Sequence, residues 1–128
     1  MKADEAAQAT ARVIDEIASE RARQITKEGY ALDHDDEHDD GSLALAAACY
    51  ASPVLLYRED VRANSRQYND PWPWAERFDK RPGHGNQVVA NKHAKPGLRR
   101  NLLIKAAALI VAEIERLDRA TRRAVPVA

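Results

Sequence analysis

Apolar residues recur at steps of three and four positions in three separate stretches of the chain, which is the period of an amphipathic α-helix. The first stretch runs from about Asp4 to Lys27 and is followed by Gly29, a residue that readily adopts the left-handed conformation beyond a helix C-terminus. Its apolar positions form one stripe: Val13, Ile14, Ile17, Ala18, Ala22 and Ile25. This pattern predicts a long first helix with one buried face.

A second helix is predicted to begin between Asp39 and Ser42, where side-chain oxygens can cap free backbone N–H groups, and to continue to about Tyr57. It is apolar nearly all round, as expected of a central helix, and Pro53 should kink or break it. The third stretch predicts a helix from about Leu98 to Arg122. Its expected core stripe is Leu103, Ala107, Ile110, Ile114 and Leu117.

Residues 60–97 separate the second and third helices and show no sustained period. They contain the sequence Asp-Pro-Trp-Pro-Trp at 70–74, and large aromatic rings favour an ordered connection. With 128 residues the chain is long enough for one hydrophobic core. The expected fold class is therefore all-α: one domain over residues 1–128, built as a small bundle of three main helices with an irregular connection rich in Trp, Pro and Gly before the last.

The most unusual segment is acidic, with seven carboxylates, two histidines and no lysine or arginine between Glu28 and Asp40. Like charges at this density repel one another by roughly a kcal/mol per close pair, depending on exposure. A divalent cation, a basic partner or solvation can offset the repulsion. Carboxylates before a helix are also stabilised by the helix dipole alone, so a solvated helix start is the structural alternative.

The formal net charge is zero, which argues against nucleic-acid binding through overall charge. From Arg77 to Lys105, however, eight basic residues are accompanied by a single carboxylate, Asp79. The acidic and basic segments are expected either to pair with each other or to hold a ligand that carries both metal and phosphate.

The single cysteine, Cys49, lies in an apolar run and is expected to be a buried structural thiol in a reducing compartment. We find no signal-peptide core near the N-terminus and no apolar run long enough to cross a bilayer, so the chain is predicted to be cytoplasmic and not associated with a membrane. The second and third helices carry more apolar surface than one neighbour can cover, which predicts a homo-oligomer.

Three parts of the chain supply the predicted site. Glu20 shares a face of the first helix with Gln24 and Glu28, and this face ends at the acidic segment. Glu113 lies beside the apolar stripe of the third helix, where a partly buried carboxylate needs a partner or a proton. Oxygen-rich ligand sets suit Mg²⁺ or Mn²⁺, whereas zinc would favour the histidines. The expected metal ligands are Glu20, Glu37, His38, Asp40 and Glu113.

Lys105 precedes Glu113 by about 12 Å along the third helix, a span that a metal–triphosphate can bridge. The candidate catalytic residues are Glu37 and Glu113; the candidate substrate-binding residues are Lys105 and Arg99 for phosphate and Trp72 and Trp74 for a base. Each assignment has a structural alternative. Glu113 can pair with Arg116 or Lys105, the histidines at 34 and 38 can lie on the surface, and the tryptophans can be packing elements. No phosphate-binding glycine loop or cysteine-based zinc motif occurs.

The stretch ERARQITKEGY at 20–30 and the motifs HDDEH at 34–38, GSLA at 41–44 and AAACY at 46–50 resemble a group of small phage and prophage proteins. These proteins also carry a Trp-Pro-Trp element and a closing helix like KAAALIVAEIERL at 105–117. More distantly, the chain resembles the all-α nucleoside triphosphate pyrophosphohydrolases of MazG type, which hold Mg²⁺ between a Glu-x-x-Glu and a Glu-x-x-Asp helix. Here Glu16 and Glu20 are separated by three residues, and Glu37 and Asp40 have the second spacing but precede the helix.

Two functions are consistent with these features. The first is a nucleotide-binding protein or metal-dependent pyrophosphohydrolase, in which the metal polarises a phosphoryl oxygen and orients the attacking water. The second is a non-enzymatic phage interaction protein, such as an inhibitor of a host factor, whose acidic loop imitates a nucleic-acid backbone or docks on a basic surface.

Overall fold

Three α-helices form the framework of the part that the computed structural model describes, residues 2–27, 35–83 and 88–124. Helix α1 spans Ala3–Lys27, α2 spans Ser42–Ala51 and α3 spans Pro96–Ala124. The predicted cap at Gly29 and residues 28–34 of the acidic segment lie outside the described ranges. The first and third helices therefore have nearly the predicted bounds, and the second is shorter than predicted.

The early end of α2 has a local cause. Ser52 follows the last helical residue with an extended backbone, and its N–H still donates to the Ala48 carbonyl. Pro53 then has no N–H with which to continue the helix, and its ring disfavours a helical conformation at Ser52. Pro53 thus breaks the helix, and the predicted continuation to Tyr57 is wrong.

The contacts between helices fix their directions. Arg100 pairs with Glu16 and Lys105 pairs with Glu20, so residue numbers rise together and α1 runs parallel to α3. The last turn of α2 lies beside the start of α3, because the buried Asn91 side chain donates to the carbonyls of both Tyr50 and Arg99. Helix α2 therefore runs antiparallel to the other two.

The hydrophobic core lies between α2 and α3. It consists of Leu43, Ala46, Ala47 and Tyr50 from α2 with Leu102, Ala106, Leu109 and Ala112 from α3. Alanine on both helices lets the two backbones approach closely, and leucine fills the remaining space. Trp72, Trp74 and Leu98 pack against the edge of this cluster.

The predicted core stripe of α3 is wrong. Leu103, Ile110, Ile114 and Leu117 remain about half exposed, between 47% and 53%. The helix carries a second apolar stripe, displaced by one residue, and α2 packs on that one. On α1 the buried residues are Arg21 and Gln24, while Ile14 is 56% exposed, so the predicted apolar stripe of α1 is also largely uncovered.

The connection between α2 and α3 contains a β-hairpin, so the fold is mostly helical and not strictly all-α. Strand β1, Arg58–Arg62, pairs antiparallel with strand β2, Ser65–Asn69, and Val61 lies opposite Arg66. The turn uses Ala63 with a positive φ of 48°. Two 3-10 turns, Glu76–Phe78 and Asn91–His93, follow. Within the described ranges, none of the helices combines the length and the apolarity that crossing a bilayer requires.

Candidate functional site

The described part of the acidic segment is paired with basic residues of α1 and α3. Asp35 is fully buried and accepts a hydrogen bond from Arg21 at 2.6 Å. Asp36 pairs with Arg119 at 3.0 Å. Asp40 accepts a hydrogen bond from the Ser42 N–H at 3.1 Å and so supports the start of α2. Basic residues of the chain thus offset Asp35 and Asp36, but Arg21 and Arg119 lie outside the basic segment 77–105 that was expected to pair with the acidic one. Glu37 and Asp39 are exposed.

Glu113 is partly buried, as predicted, and it adopts the salt-bridge alternative. Arg116, one turn further along α3, donates from Nε to Glu113 Oε1 at 2.5 Å. Both side chains are only about one-tenth exposed, 12% for Glu113 and 11% for Arg116. The structure therefore gives Glu113 a cation from its own helix.

Glu20 and Lys105 are brought together, and with Arg23 they form a polar cluster between α1 and α3. Lys105 Nζ lies 3.0 Å from Glu20 Oε1, and Arg23 Nε donates to both carboxylate oxygens at 2.8 and 2.7 Å. Arg23 follows Glu20 by three residues, so the two lie on one face of α1. One carboxylate thus holds two cations from two helices.

This cluster borders a cleft of about 390 Å³, which we call the polar cleft. It is lined by Asp15, Glu16, Ser19, Glu20, Arg23, Asn101 and Ile104. Glu16 lies one turn before Glu20, and Arg100 binds it with both terminal nitrogens at 2.6 and 2.7 Å. The sequence grouped Glu20 with Gln24 and Glu28; the cleft instead uses Glu16, Glu20 and Arg23, which the spacing of four and three also indicates.

A small crevice of about 10 Å³, close to the volume that one water molecule needs, lies beside the same two cations. Arg23, Lys80 and Lys105 line it together with Gln24, Tyr50, Phe78 and Leu109. The Tyr50 hydroxyl accepts from the Lys80 N–H and donates to the Phe78 carbonyl, which fixes this wall. The Gln24 side chain is 3% exposed, and its Oε1 atom has no hydrogen-bond partner. A buried polar atom without a partner costs stability and marks a place where a donor is missing.

Glu16 and Glu20 of the cleft have pKa values below their usual value. Burial alone would raise the pKa of Glu20, but hydrogen bonds from Arg23 and Lys105 and the attraction of both charges lower it below its usual value. For Glu16 the hydrogen bond from Arg100 is the largest effect and also lowers the pKa. Both groups therefore remain anionic at neutral pH and keep their cations in place.

The other predicted substrate-binding residues lie elsewhere. The Trp72 ring packs on Tyr50 at 5.1 Å between ring centroids and on Trp74 at 5.6 Å, and Trp74 lies 5.2 Å from His38. These are the packing roles named as the alternative for the tryptophans. Arg99 is exposed and contacts Asn91.

Sequence patterns did not anticipate the buried cluster around Arg81. Its side chain is 2% exposed and pairs with Asp79 at 2.7 Å and Asp70 at 2.8 Å. The guanidinium also lies 5.5 Å from the centre of the Trp72 ring. This cluster uses two acidic residues nine positions apart, which no local spacing rule connects.

Cys49 is buried, as predicted, and burial raises the pKa of its thiol to about 11. A thiol with so high a pKa is almost entirely protonated at neutral pH, which fits a structural role.

Within residues 2–27, 35–83 and 88–124, no group of three or more His, Cys, Asp or Glu side chains is arranged to hold a metal ion. The expected ligands Glu20, Glu37, His38, Asp40 and Glu113 do not form one assembled group there, and Mg²⁺ or Mn²⁺ stays a prediction. Comparisons with family models, with curated proteins and with solved structures found no match. The candidate site is therefore defined by the chain's own residues.

Proposed function

We propose that the polar cleft binds a small molecule carrying phosphate, with a nucleotide as the candidate ligand. The observation that carries this proposal is the convergence of Arg23 and Lys105, from different helices, on the single carboxylate of Glu20. The cleft volume of about 390 Å³ is in the range of small-molecule sites.

Phosphate can replace Glu20 as the partner of these cations. Arg23 Nε already donates to both oxygens of one anion. A guanidinium that can bind a carboxylate can also bind two phosphate oxygens through its several N–H groups. Lys105, from α3, adds a point charge beside the Glu20 carboxylate at the border of the cleft. Once its cations turn to phosphate, Glu20 becomes available as an oxygen ligand, with Glu16 one turn away.

Mg²⁺ fits this donor set, because it is usually held by one or two carboxylates together with substrate phosphates rather than by a protein cage. The resemblance to nucleoside triphosphate pyrophosphohydrolases implies the same ion. Bound with the ligand, it would polarise a phosphoryl oxygen and orient water. The protein's own contribution is to place the phosphates between Arg23 and Lys105 and to hold Glu16 and Glu20 ionised.

Isothermal titration with inorganic phosphate, triphosphate and a panel of nucleotides, with and without Mg²⁺, tests the proposal. We expect Lys105→Met and Arg23→Met to weaken binding at least tenfold while the circular dichroism spectrum is retained. Lys92→Met is the matched control, because Lys92 is exposed, whereas Lys105 contacts Glu20 at the border of the cleft. Absence of binding by wild type, or equal binding by Lys105→Met, would contradict the proposal; pyrophosphate release, assayed separately, decides between binding and turnover.

A second candidate is the non-enzymatic interaction protein. It is favoured by one observation: the side chains of Glu37, Asp39 and Asp40 are exposed before α2 while Asp35 and Asp36 turn inward to arginines. The outer half of the segment thus presents negative charge to a basic partner surface. The proposal is supported if wild type captures a host protein that salt releases. The variant E37Q/D39N should lose this protein, and D15N should retain it. Equal capture by both variants would remove it.

A further inference from the structure

A second pocket, of about 310 Å³, lies where the β-hairpin joins the rest of the chain. Residues that follow α2 and precede β1 line it, as do residues at the end of β2. Its described lining includes Leu55, Leu56, Tyr57, Tyr68, Asp70 and Val88. We call it the tyrosine pocket. Its volume is at the lower end of the range for small-molecule sites.

The two tyrosines lie on the same side of the hairpin. Glu59 and Tyr68 are partners in the antiparallel register, so their side chains share one side of the two strands. Tyr57 directly precedes β1 and lies two positions before Glu59, and continuing the alternation of the strand by one residue puts it on that side too. Both tyrosines are 62% exposed. Rings with this exposure can turn their negative faces toward a ligand in the pocket.

Asp70 is the one charged side chain among the described residues that line the tyrosine pocket. It also belongs to the buried cluster around Arg81. There Asp79 binds the guanidinium through two atoms: Arg81 Nε donates to its Oδ1 at 3.0 Å, and Nη2 donates to its Oδ2 at 2.7 Å. Asp70 accepts from the same Nη2 at 2.8 Å. The Arg81–Asp79 pair is formally neutral, so Asp70 leaves this cluster with one surplus negative charge.

The surplus charge is on the carboxylate that a ligand can reach. The Asp70 side chain is 35% exposed, whereas those of Asp79 and Arg81 are 7% and 2% exposed. The pocket therefore combines one accessible carboxylate with two exposed aromatic rings and with the half-buried apolar side chains of Leu55, Leu56 and Val88.

We propose that the tyrosine pocket binds an alkylated ammonium cation, with the rings of Tyr57 and Tyr68 against its alkyl groups and Asp70 as its counter-ion. Aromatic faces attract cations, and pockets of aromatic rings recognise quaternary ammonium groups. A divalent metal ion prefers several oxygen ligands, and a primary ammonium is strongly hydrated. An alkylated cation suits this mixture of apolar, aromatic and anionic surface better than either. Phosphate is repelled by Asp70.

NMR titration at constant ionic strength tests the proposal with two probes of the same shape. One is choline, and the other is the neutral alcohol in which carbon replaces the nitrogen of choline. Choline should bind at least tenfold more tightly, because the alcohol lacks the charge that the rings and Asp70 recognise. Equal binding of the two probes, or no saturable binding of choline at millimolar concentrations, would overturn the proposal.

Two variants test the residues. Tyr57→Leu/Tyr68→Leu keeps apolar bulk and removes the ring faces, so it should weaken choline binding at least tenfold and leave the neutral alcohol nearly unaffected. Asp70→Asn keeps the shape and removes the charge, and it should also weaken choline binding at least tenfold. Asp39→Asn, an exposed carboxylate before α2, is its control and should bind choline as wild type does.

The tyrosine variant decides the proposal even if Asp70→Asn fails to fold, because both tyrosines are exposed. Unchanged choline binding by Tyr57→Leu/Tyr68→Leu, with the circular dichroism spectrum retained, would overturn it.

Alkylated ammonium groups occur as free small molecules and as methylated lysine side chains of other proteins. Choline represents the first source, and a short peptide with one trimethyl-lysine represents the second, so the probe that binds more tightly identifies the source. The same peptide with unmodified lysine should bind at least tenfold more weakly than its trimethylated form, and equal binding of the two peptides would overturn the preference for an alkylated cation. The tyrosine pocket and the polar cleft share none of their described lining residues, so choline binding and phosphate binding can fail independently.

Discussion

Buried ion pairs are the most consequential single contacts of this chain. Arg21 and Asp35 face each other at 2.6 Å, and the Asp35 side chain has no exposure to solvent. Replacing such a pair with apolar residues can be neutral, but removing one partner leaves a buried charge uncompensated. This ion pair therefore attaches α1 to the segment before α2.

We expect Asp35→Asn to lower the free energy of unfolding by about 3 kcal/mol, because the buried Arg21 then loses its buried carboxylate and, among the ion pairs of the described residues, keeps that with the half-exposed Glu115. Urea unfolding at neutral pH measures it. Asp39→Asn, on an exposed neighbour of the same charge, should change stability by less than about 0.5 kcal/mol. Equal effects of the two substitutions would show that the Arg21–Asp35 pair does not stabilise the fold.

At the scale of elements, α3 has two apolar stripes, and the fold buries one of them. Leu102 and Leu109 pack against α2 with 0% and 1% exposure, while the neighbouring Leu103 and Ile110 stay half exposed. Helical period alone does not decide which stripe is covered, since both follow the same steps. The choice depends on where α2 and α1 lie.

The adjacent pair Leu109 and Ile110 tests this assignment. We expect Leu109→Ala to cost about 3 kcal/mol of unfolding free energy, because it removes methyl groups from a closed core. Ile110→Ala should cost less than about 1 kcal/mol when measured at a protein concentration low enough for the chain to be monomeric. If Ile110→Ala were the more destabilising of the two, the core would lie on the originally predicted stripe.

The helices of the fold could be predicted from the sequence, and the hairpin could not. The strands carry mostly exposed polar residues, so they lack the alternation of apolar and polar positions by which a half-buried strand is recognised. Similarly, the contact of Glu20 with Lys105 crosses 85 positions, and only the parallel packing of α1 on α3 brings these residues together. Partly buried Glu113, buried Cys49 and the ordered tryptophans were predictable, because each follows from local composition and spacing.

At the scale of the whole molecule, α1 is attached mainly by polar contacts. Its two buried residues are Arg21 and Gln24. Glu16 and Glu20 form ion pairs with basic residues of α3. The α2–α3 core, by contrast, is apolar. Acid should therefore weaken the attachment of α1 before it affects the core.

The direction in which stability changes with pH follows from the lowered pKa values of Glu16 and Glu20. A carboxylate whose pKa is depressed in the folded state contributes stability above its unfolded pKa, about 4.3, and loses it as the pH falls through the folded value. Urea unfolding from pH 6 to pH 3 should show a steeper loss for wild type than for E16Q/E20Q. Parallel pH profiles would mean that these pairs do not hold α1.

Asn91 has a further consequence for how the chain tolerates change. Its amide donates to the last turn of α2 and to the first turn of α3, at 3.2 and 3.1 Å, and so joins the two ends of the long connection. Closing a loop costs entropy that grows only with the logarithm of its length, about 0.6 kcal/mol for each doubling. The Asn91 side chain holds the end of α2 next to the start of α3. The segment with the β-hairpin between them can therefore lengthen or shorten during evolution at little energetic cost, while the helices keep their positions.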